Sequence, residues 1–96
     1  MIKHIVAWDF PDEHKKENTA KLKALLDELP ALISEIKIYE VGINIKVSEF
    51  AKDMVLISGF EDQAALDRYT AHPEHVRVVK ELRKKATKTV VVDFKT

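Results

Sequence analysis

The sequence contains no cysteine and only two glycines among its 96 residues. Without cysteine, the chain can form no disulfide, thiolate nucleophile, iron–sulfur cluster or cysteine-bound zinc site. The two glycines, Gly42 and Gly59, are too few for the glycine-rich loops that hold nucleotide phosphates. We therefore expect neither nucleotide hydrolysis nor dinucleotide-dependent dehydrogenase chemistry.

An excess of charge of either sign is also absent. The chain has 16 basic and 16 acidic residues, which gives a formal net charge of zero. No overall field therefore attracts it to nucleic acid or to an anionic membrane, and we expect neither partner. No apolar run reaches membrane-spanning length, and the first ten residues lack the features of a signal peptide. A cytoplasmic location is expected.

The length and composition predict one folded domain. Hydrophobic residues make up 46% of the chain and charged residues 33%, which is typical of a globular protein. A chain of this length has material for only one hydrophobic core. We therefore treat residues 1–96 as a single domain.

Hydrophobic periodicity predicts the elements of the first half. Apolar side chains alternate along residues 2–10, which indicates a strand. From about Glu13 they recur at spacings of three, four and seven residues, which predicts a helix that ends near Pro30. Mostly β-branched and aromatic residues over 36–47 predict a second strand, with a bend or bulge at Gly42, where the alternation changes face.

The second half begins with a third predicted strand over residues 54–60, followed by a helix that begins near residue 61. His72-Pro73 interrupts this helix and starts a new helical segment. The buried stripe of that segment is predicted to consist of Val76, Val79 and Leu82. Residues 88–94 supply the last strand. The order β-α-β-β-α-β predicts a ferredoxin-like α+β fold, with a four-stranded antiparallel sheet and two helices on one face.

Both faces of the predicted sheet carry apolar side chains. Val55 and Ile57, for example, alternate with Met54 and Leu56. Helices on one side would leave the other face as an apolar patch larger than a soluble monomer normally exposes. A two-fold interface needs only one self-complementary surface. We therefore predict a homodimer formed through the sheet faces.

Several short segments resemble the stress-responsive A/B barrel (Dabb) domain family. They are Lys3-His4-Ile5-Val6, Trp8-Asp9-Phe10, Leu29-Pro30-Ala31-Leu32-Ile33, Val41-Gly42 and Tyr69-Thr70-Ala71-His72-Pro73-Glu74-His75. The resemblance covers essentially the whole chain and implies a dimeric α+β barrel. Most members have no assigned reaction. The resemblance therefore implies a binding function, in which a pocket between sheet and helices holds a small apolar molecule.

An alternative follows from a plant member of the family, olivetolic acid cyclase, which closes a ring in a linear polyketide. The resemblance then implies a small enzyme without a cofactor, with His75 as general base and Tyr69 as hydrogen-bond donor to the substrate. His75 lies near a helix start, where the helix dipole favours the neutral ring that a base requires. The same two side chains could instead cap and pack the helix, and the sequence leaves both interpretations open.

His4 and Trp8 are the other candidate ligand-binding residues. They share one face of the first strand, and the resemblance implies that the early histidine lines the pocket. A buried neutral histidine needs a partner for each ring nitrogen, which a ligand or a local polar group could supply. Instead of binding a ligand, His4 could be a core histidine that is hydrogen-bonded to local groups, and Trp8 could be a core aromatic residue.

No metal site is predicted. His72 and His75 are three residues apart and lack the third protein ligand of a catalytic zinc site. Some relatives hold a cation through backbone carbonyls, which would fall near Leu26, Leu29 and Leu32, but such ligands leave no sequence signal. The basic residues between 77 and 88 have helical spacing and predict a solvated helix face.

Overall fold

A four-stranded antiparallel sheet forms the centre of the structure, a computed structural model that describes residues 1–96. The strands are β1 (Ile2–Asp9), β2 (Ile38–Ile43), β3 (Met54–Phe60) and β4 (Lys88–Lys95). They lie in the order β2-β3-β1-β4, so β1 and β3 are central and β2 and β4 are edges. This arrangement confirms the predicted ferredoxin-like α+β fold.

Each predicted helix is divided into two helical segments. These are α1 (Lys15–Asp27), α2 (Leu29–Leu32), α3 (Gln63–Ala71) and α4 (Pro73–Lys85). Pro30 and Pro73 occupy the first or second position of α2 and α4, where a missing backbone N–H costs little. Both prolines therefore start a new helical segment. None of the helices is long and apolar enough to cross a membrane.

Side chains cap the N-terminal ends of α3 and α4. The carboxylate of Asp62 accepts a hydrogen bond from the backbone N–H of Ala65 at 2.8 Å. The Nδ1 atom of His72 accepts one from the backbone N–H of Glu74 at 3.1 Å. Each cap satisfies a backbone donor that the helix itself cannot pair. His72 therefore has a structural role at the break between α3 and α4.

The helices cover the sheet face that carries His4, Val6 and Trp8. Val6 and Trp8 are buried there beside Leu56 and Met54, their partners on β3. The buried helix residues of the same core are Leu22, Leu26, Leu29, Ala65, Leu66, Tyr69, Val78 and Leu82. The strand alternation and the helical stripes thus meet in a single core, as predicted.

Nothing within one chain covers the opposite face of the sheet. Val90, Val92 and Phe94 of β4 lie on this face and are 38%, 60% and 47% exposed. Ile57 of β3 and Ile5 of β1 continue the surface, because they pair with each other and Ile5 pairs with Val92. We call this surface the open face. It is a continuous apolar surface across the three strands.

The second strand is shorter than predicted and has no bulge. The pairing of β2 with β3 passes through Gly42 without interruption and ends at Ile43, opposite Met54. Ile45 and Val47, which the alternation placed in the strand, are fully exposed in the following loop. The prediction was wrong because β3 begins at Met54, so the residues after Ile43 have no partner strand.

The predicted buried stripe of α4 was also wrong at one position. Val78 and Leu82 are buried, Val79 is partly buried, and Val76 is exposed. Stripes that begin at Val76 and at Val78 both satisfy a helical repeat, so periodicity alone cannot choose between them. The packing of α4 against α1 and α2 selects Val78.

Candidate functional site

A cleft opens between α4 and the part of the sheet formed by β1 and β4. Its volume is about 290 Å³, and nine of its thirteen lining residues are hydrophobic. All four site residues predicted from the sequence line it, namely His4, Trp8, Tyr69 and His75. The fold thus brings together residues from the first strand and from both segments of the second helical region.

A larger depression of about 600 Å³ lies at the end of the sheet and is open to solvent. Its polar residues include Glu61, Asp62 and Asp93. It contains none of the predicted site residues, and its acidic groups do not form a group of three or more that could hold a metal ion. The cleft beside α4 is therefore the candidate site.

A backbone hydrogen bond fixes the orientation of the His75 ring in the cleft. Its Nδ1–H donates a hydrogen bond to the backbone carbonyl of Thr70 at 3.0 Å, which leaves a free lone pair on Nε2. Burial lowers the pKa of His75 below its usual value, the Thr70 hydrogen bond opposes this, and charges on His4 and His72 lower the pKa further. The His75 ring is therefore uncharged at neutral pH.

Tyr69 lies among three other rings. Its ring centroid is 4.3 Å from that of His75, 4.8 Å from that of Phe60 and 6.2 Å from that of His4. Tyr69 is wholly buried, and its hydroxyl has no hydrogen-bond partner. Burial raises the pKa of Tyr69 to about 12, so the phenol stays protonated and can donate. That hydroxyl lies inside the wall of the cleft rather than at its opening.

Tyr39 of β2 was not identified as a site residue from the sequence. Its hydroxyl is also buried without a partner, and it lies near that of Tyr69 although the two do not meet hydrogen-bond geometry. Burial is the main cause that raises the pKa of Tyr39, and the neighbouring Tyr69 hydroxyl adds to it. Buried hydroxyls normally have partners. The two unpaired hydroxyls of Tyr39 and Tyr69 therefore form a small polar region behind the aromatic rings that line the cleft.

His4 is oriented by a carboxylate that the sequence analysis did not connect with it. Its Nδ1 hydrogen-bonds to Asp93, the residue directly opposite on β4. The hydroxyl of Ser58 donates to the backbone carbonyl of His4 at 2.7 Å. With Nδ1 engaged, Nε2 has no protein partner. Asp93 carries no recognisable motif, and only the register between β1 and β4 reveals the pair.

The far end of the cleft is formed by Trp8, Thr89 and Arg83. Trp8 is 4% exposed, and Thr89 is its cross-strand neighbour on β4. Arg83 lies in the last turn of α4 and lines the cleft. The sequence analysis assigned Arg83 only to a solvated basic helix face, because its distance from the sheet could not be known.

No group of three or more histidine, aspartate and glutamate side chains could hold a metal ion. The backbone carbonyl of Leu29 accepts a hydrogen bond from the N–H group of Ile33 at 2.9 Å. This carbonyl is therefore engaged within the helical turn.

The fold and the cleft define a small ferredoxin-like α+β protein with an apolar site between its sheet and its helices. The family model of the Stress Responsive A/B Barrel Domain matches residues 2–96. The chain belongs to this family, which confirms the resemblance found in its sequence.

Individual relatives agree with this assignment. The chain is 27% identical over 96 residues to the stress-response A/B barrel domain-containing protein HS1 of Arabidopsis thaliana, covering 98% of this chain and 88% of that protein. A dimeric ferredoxin-like protein of unknown function from Bacteroides fragilis has a TM-score of 0.89 at 32% identity, covering 99% of this chain and 95% of that one.

An enzyme shares the fold at lower identity. The hydroxynitrile lyase from Passiflora edulis has a TM-score of 0.85 at 18% identity, covering 97% of this chain and 90% of that chain. A similarity at this identity establishes the shared fold alone, because one fold can support many activities. The activity must be argued from the residues of the cleft.

Proposed function

We propose that the protein is a homodimer that binds a small apolar molecule in the cleft between its sheet and its helices. The cleft itself carries this proposal, because its walls are mostly hydrophobic while His4 and His75 each have a ring nitrogen without a protein partner. Small-molecule sites are typically apolar and concave, with a few polar groups that converge on the ligand. A volume of about 290 Å³ suits a small ligand.

The open face supports the homodimer. A surface that exposes Val92, Phe94 and Ile57 together is unfavourable in water, and a second copy would remove it from solvent. The similar protein from Bacteroides fragilis is described as dimeric. Because the open face and the cleft lie on opposite sides of the sheet, association through the open face leaves the cleft available to a ligand.

A substitution that fills the cleft tests ligand binding. Val79 lines the cleft and is partly buried, so Val79→Trp would place a large ring in it. We expect the affinity for the probe 1-octanol, measured by protein NMR titration, to fall by about tenfold or more as apolar burial is lost. Val76→Trp, on the exposed side of the same helix, is the matched control and should bind like the unmodified protein. Equal binding by a folded Val79→Trp variant would contradict the proposal.

A second candidate function is acid–base catalysis on a carbonyl compound, as in an olivetolic acid-type polyketide cyclase. The neutral His75, held through Thr70 with Nε2 free, favours it. Nε2 would remove a proton from the carbon beside one carbonyl of a linear polyketide. The enolate would then attack a second carbonyl, and the new oxyanion would take the proton back from His75. Tyr69 would donate a hydrogen bond to a carbonyl oxygen once a side-chain movement brings its buried hydroxyl to the cleft surface.

His75→Ala distinguishes the two candidates. If the protein is an enzyme of this kind, the variant should still bind 1-octanol but convert a linear polyketide thioester at least about a hundredfold more slowly, since general base catalysis contributes at least that much. The product is measured by mass spectrometry. Unchanged turnover in a folded variant would exclude His75 as the base, whereas no turnover by the unmodified protein would leave only the binding function.

A further inference from the structure

The cleft has one formally charged residue in its wall. Arg83 lines it, and no aspartate or glutamate does. Two other arginines are paired with carboxylates, Arg68 with Glu35 at 3.0 Å and Arg77 with Glu74 at 3.0 Å. Arg83 forms no ion pair within the chain, so its guanidinium group has donors available for a ligand.

The two ends of the cleft differ chemically. His75 and Arg83 are eight residues apart on α4, which places them about 12 Å apart along the helix axis. His4 and Trp8 are four residues apart on β1, a rise of about 13 Å. His4 and His75 both lie beside the ring of Tyr69, so they mark the same end. The opposite end combines Trp8 and its neighbour Thr89 with Arg83.

The charged residues around the cleft also differ between the histidine end and the Arg83 end. The Asp93 carboxylate hydrogen-bonds to His4, and the depression next to it is lined by Glu61, Asp62 and Lys95. At the other end Arg83 is followed by Lys84 and Lys85 in the last turn of α4. An anionic group in the cleft is therefore attracted most strongly at the Arg83 end.

We propose that the ligand of this cleft is an amphipathic monocarboxylate with an unbranched apolar chain of medium length. Its carboxylate pairs with the guanidinium of Arg83, and its chain runs along Val79 and Val78 toward Tyr69. A cleft that is about 12 Å long and has a volume of about 290 Å³ is narrow, which suits one extended chain. This inference rests on the proposed ligand-binding function and adds the charge and direction of the ligand.

The test compares octanoate with 1-octanol, which have the same chain length and differ in charge. Both are titrated by NMR into the unmodified protein, Arg83→Gln and the control Lys84→Gln. Lys84 is the next residue, lies outside the cleft and is paired with Glu81. We expect octanoate to bind more tightly than 1-octanol. Arg83→Gln should weaken octanoate by roughly three- to tenfold, as expected for a solvent-exposed charge-assisted bond, and leave 1-octanol unchanged.

The direction of the chain provides a second measurement. Intermolecular nuclear Overhauser effects should join the terminal methyl group of octanoate to the ring protons of Tyr69. Contacts between that methyl group and Arg83 instead would overturn the proposed orientation. Lys84→Gln should bind both probes like the unmodified protein.

The remaining outcomes separate this inference from the proposed function. If 1-octanol binds in the cleft but Arg83→Gln leaves octanoate unaffected, the carboxylate inference is wrong and the binding function stands. An equal loss in Arg83→Gln and Lys84→Gln would show a general effect of net charge and would also overturn it. If neither probe binds the unmodified protein, both proposals fail.

Discussion

The two histidines of the cleft are anchored in the same way by different groups. His75 uses Nδ1–H on the carbonyl of Thr70, whereas His4 uses Nδ1 on the carboxylate of Asp93. In each ring the hydrogen bond to Nδ1 selects the orientation and leaves Nε2 without a protein partner. Both rings contact Tyr69, so the cleft offers two oriented ring nitrogens around one buried aromatic residue.

Because His75 is partly buried, we expect the stability of the protein to depend on pH. Its pKa is lowered in the folded state, chiefly by burial, from the usual 6.5. At a pH between the lowered folded-state pKa and 6.5, the unfolded chain binds a proton at His75 that the folded chain does not. The contribution of His75 to the free energy of unfolding is therefore fully present above pH 6.5 and is lost as the pH falls toward the folded-state pKa.

We expect His75→Gln to reduce the loss of unfolding free energy between about pH 7.5 and about pH 5, measured by urea denaturation. The control His14→Asn removes an exposed histidine whose φ is 60°, a conformation that asparagine tolerates. That variant should keep the pH dependence of the unmodified protein. A steeper loss in His75→Gln would contradict the neutral, buried state of His75.

Sequence reasoning named the cleft-lining residues that belong to a recognisable segment and missed those that do not. His4, Trp8, Tyr69 and His75 were all identified, and all line the cleft. Asp93 was missed because its contact with His4 depends on pairing between the first and last strands. Tyr39 and Arg83 were missed for the same physical reason, since each gains its role from a neighbour far away in the chain.

The boundaries of helices and strands follow local chemistry where a residue restricts the backbone. Pro73 and the His72 cap start α4 where the sequence predicted a break, and Met54–Phe60 forms β3 as predicted. The errors occur where local chemistry is permissive. Residues 44–47 have strand propensity, but no strand lies opposite them, and a backbone without partners does not form a sheet.

The register and rotation of the elements decide which side chains reach the cleft. Antiparallel pairing of β1 with β4 places Asp93 beside His4 and Thr89 beside Trp8. A shift of that register by one residue would turn each of these side chains to the other face. The rotation of α4 likewise buries Val78 and turns Val76 to solvent. Neither the register nor the rotation is encoded in the periodicity of one segment.

The whole molecule is a sheet with helices on one side and apolar side chains on both. The helices bury the face of Val6 and Trp8, and the open face keeps Val92, Phe94 and Ile57 in contact with solvent. One chain therefore buries the apolar side chains of its core but leaves those of the open face exposed. Association through that surface would bury it while the cleft on the helical side stays open.

A charge placed on the open face should separate the proposed dimer. Val92 is 60% exposed in one chain and would be buried in the dimer, where an unpaired carboxylate is costly. In sedimentation velocity at micromolar concentration we expect the unmodified protein to have twice the mass of one chain, and Val92→Asp to have the mass of one. Circular dichroism checks that the variant is folded.

The matched control is Val76→Asp, which adds the same charge at an exposed valine of α4, away from the open face. This variant should sediment as a dimer. If the unmodified protein sediments as one chain, or if Val92→Asp remains a dimer, the proposed association through the open face is wrong.

The amino-acid sequence by itself determined the order of strands and helices, the ferredoxin-like fold and the family, because periodicity, prolines and short motifs are local properties of the chain. The three-dimensional packing decided the partner of His4, the burial of the Tyr39 and Tyr69 hydroxyls near each other, the inward face of α4 and the place of Arg83 at the cleft. Each of these depends on the relative position of segments distant in sequence, which is set when the whole core packs at once and leaves no trace in any one segment.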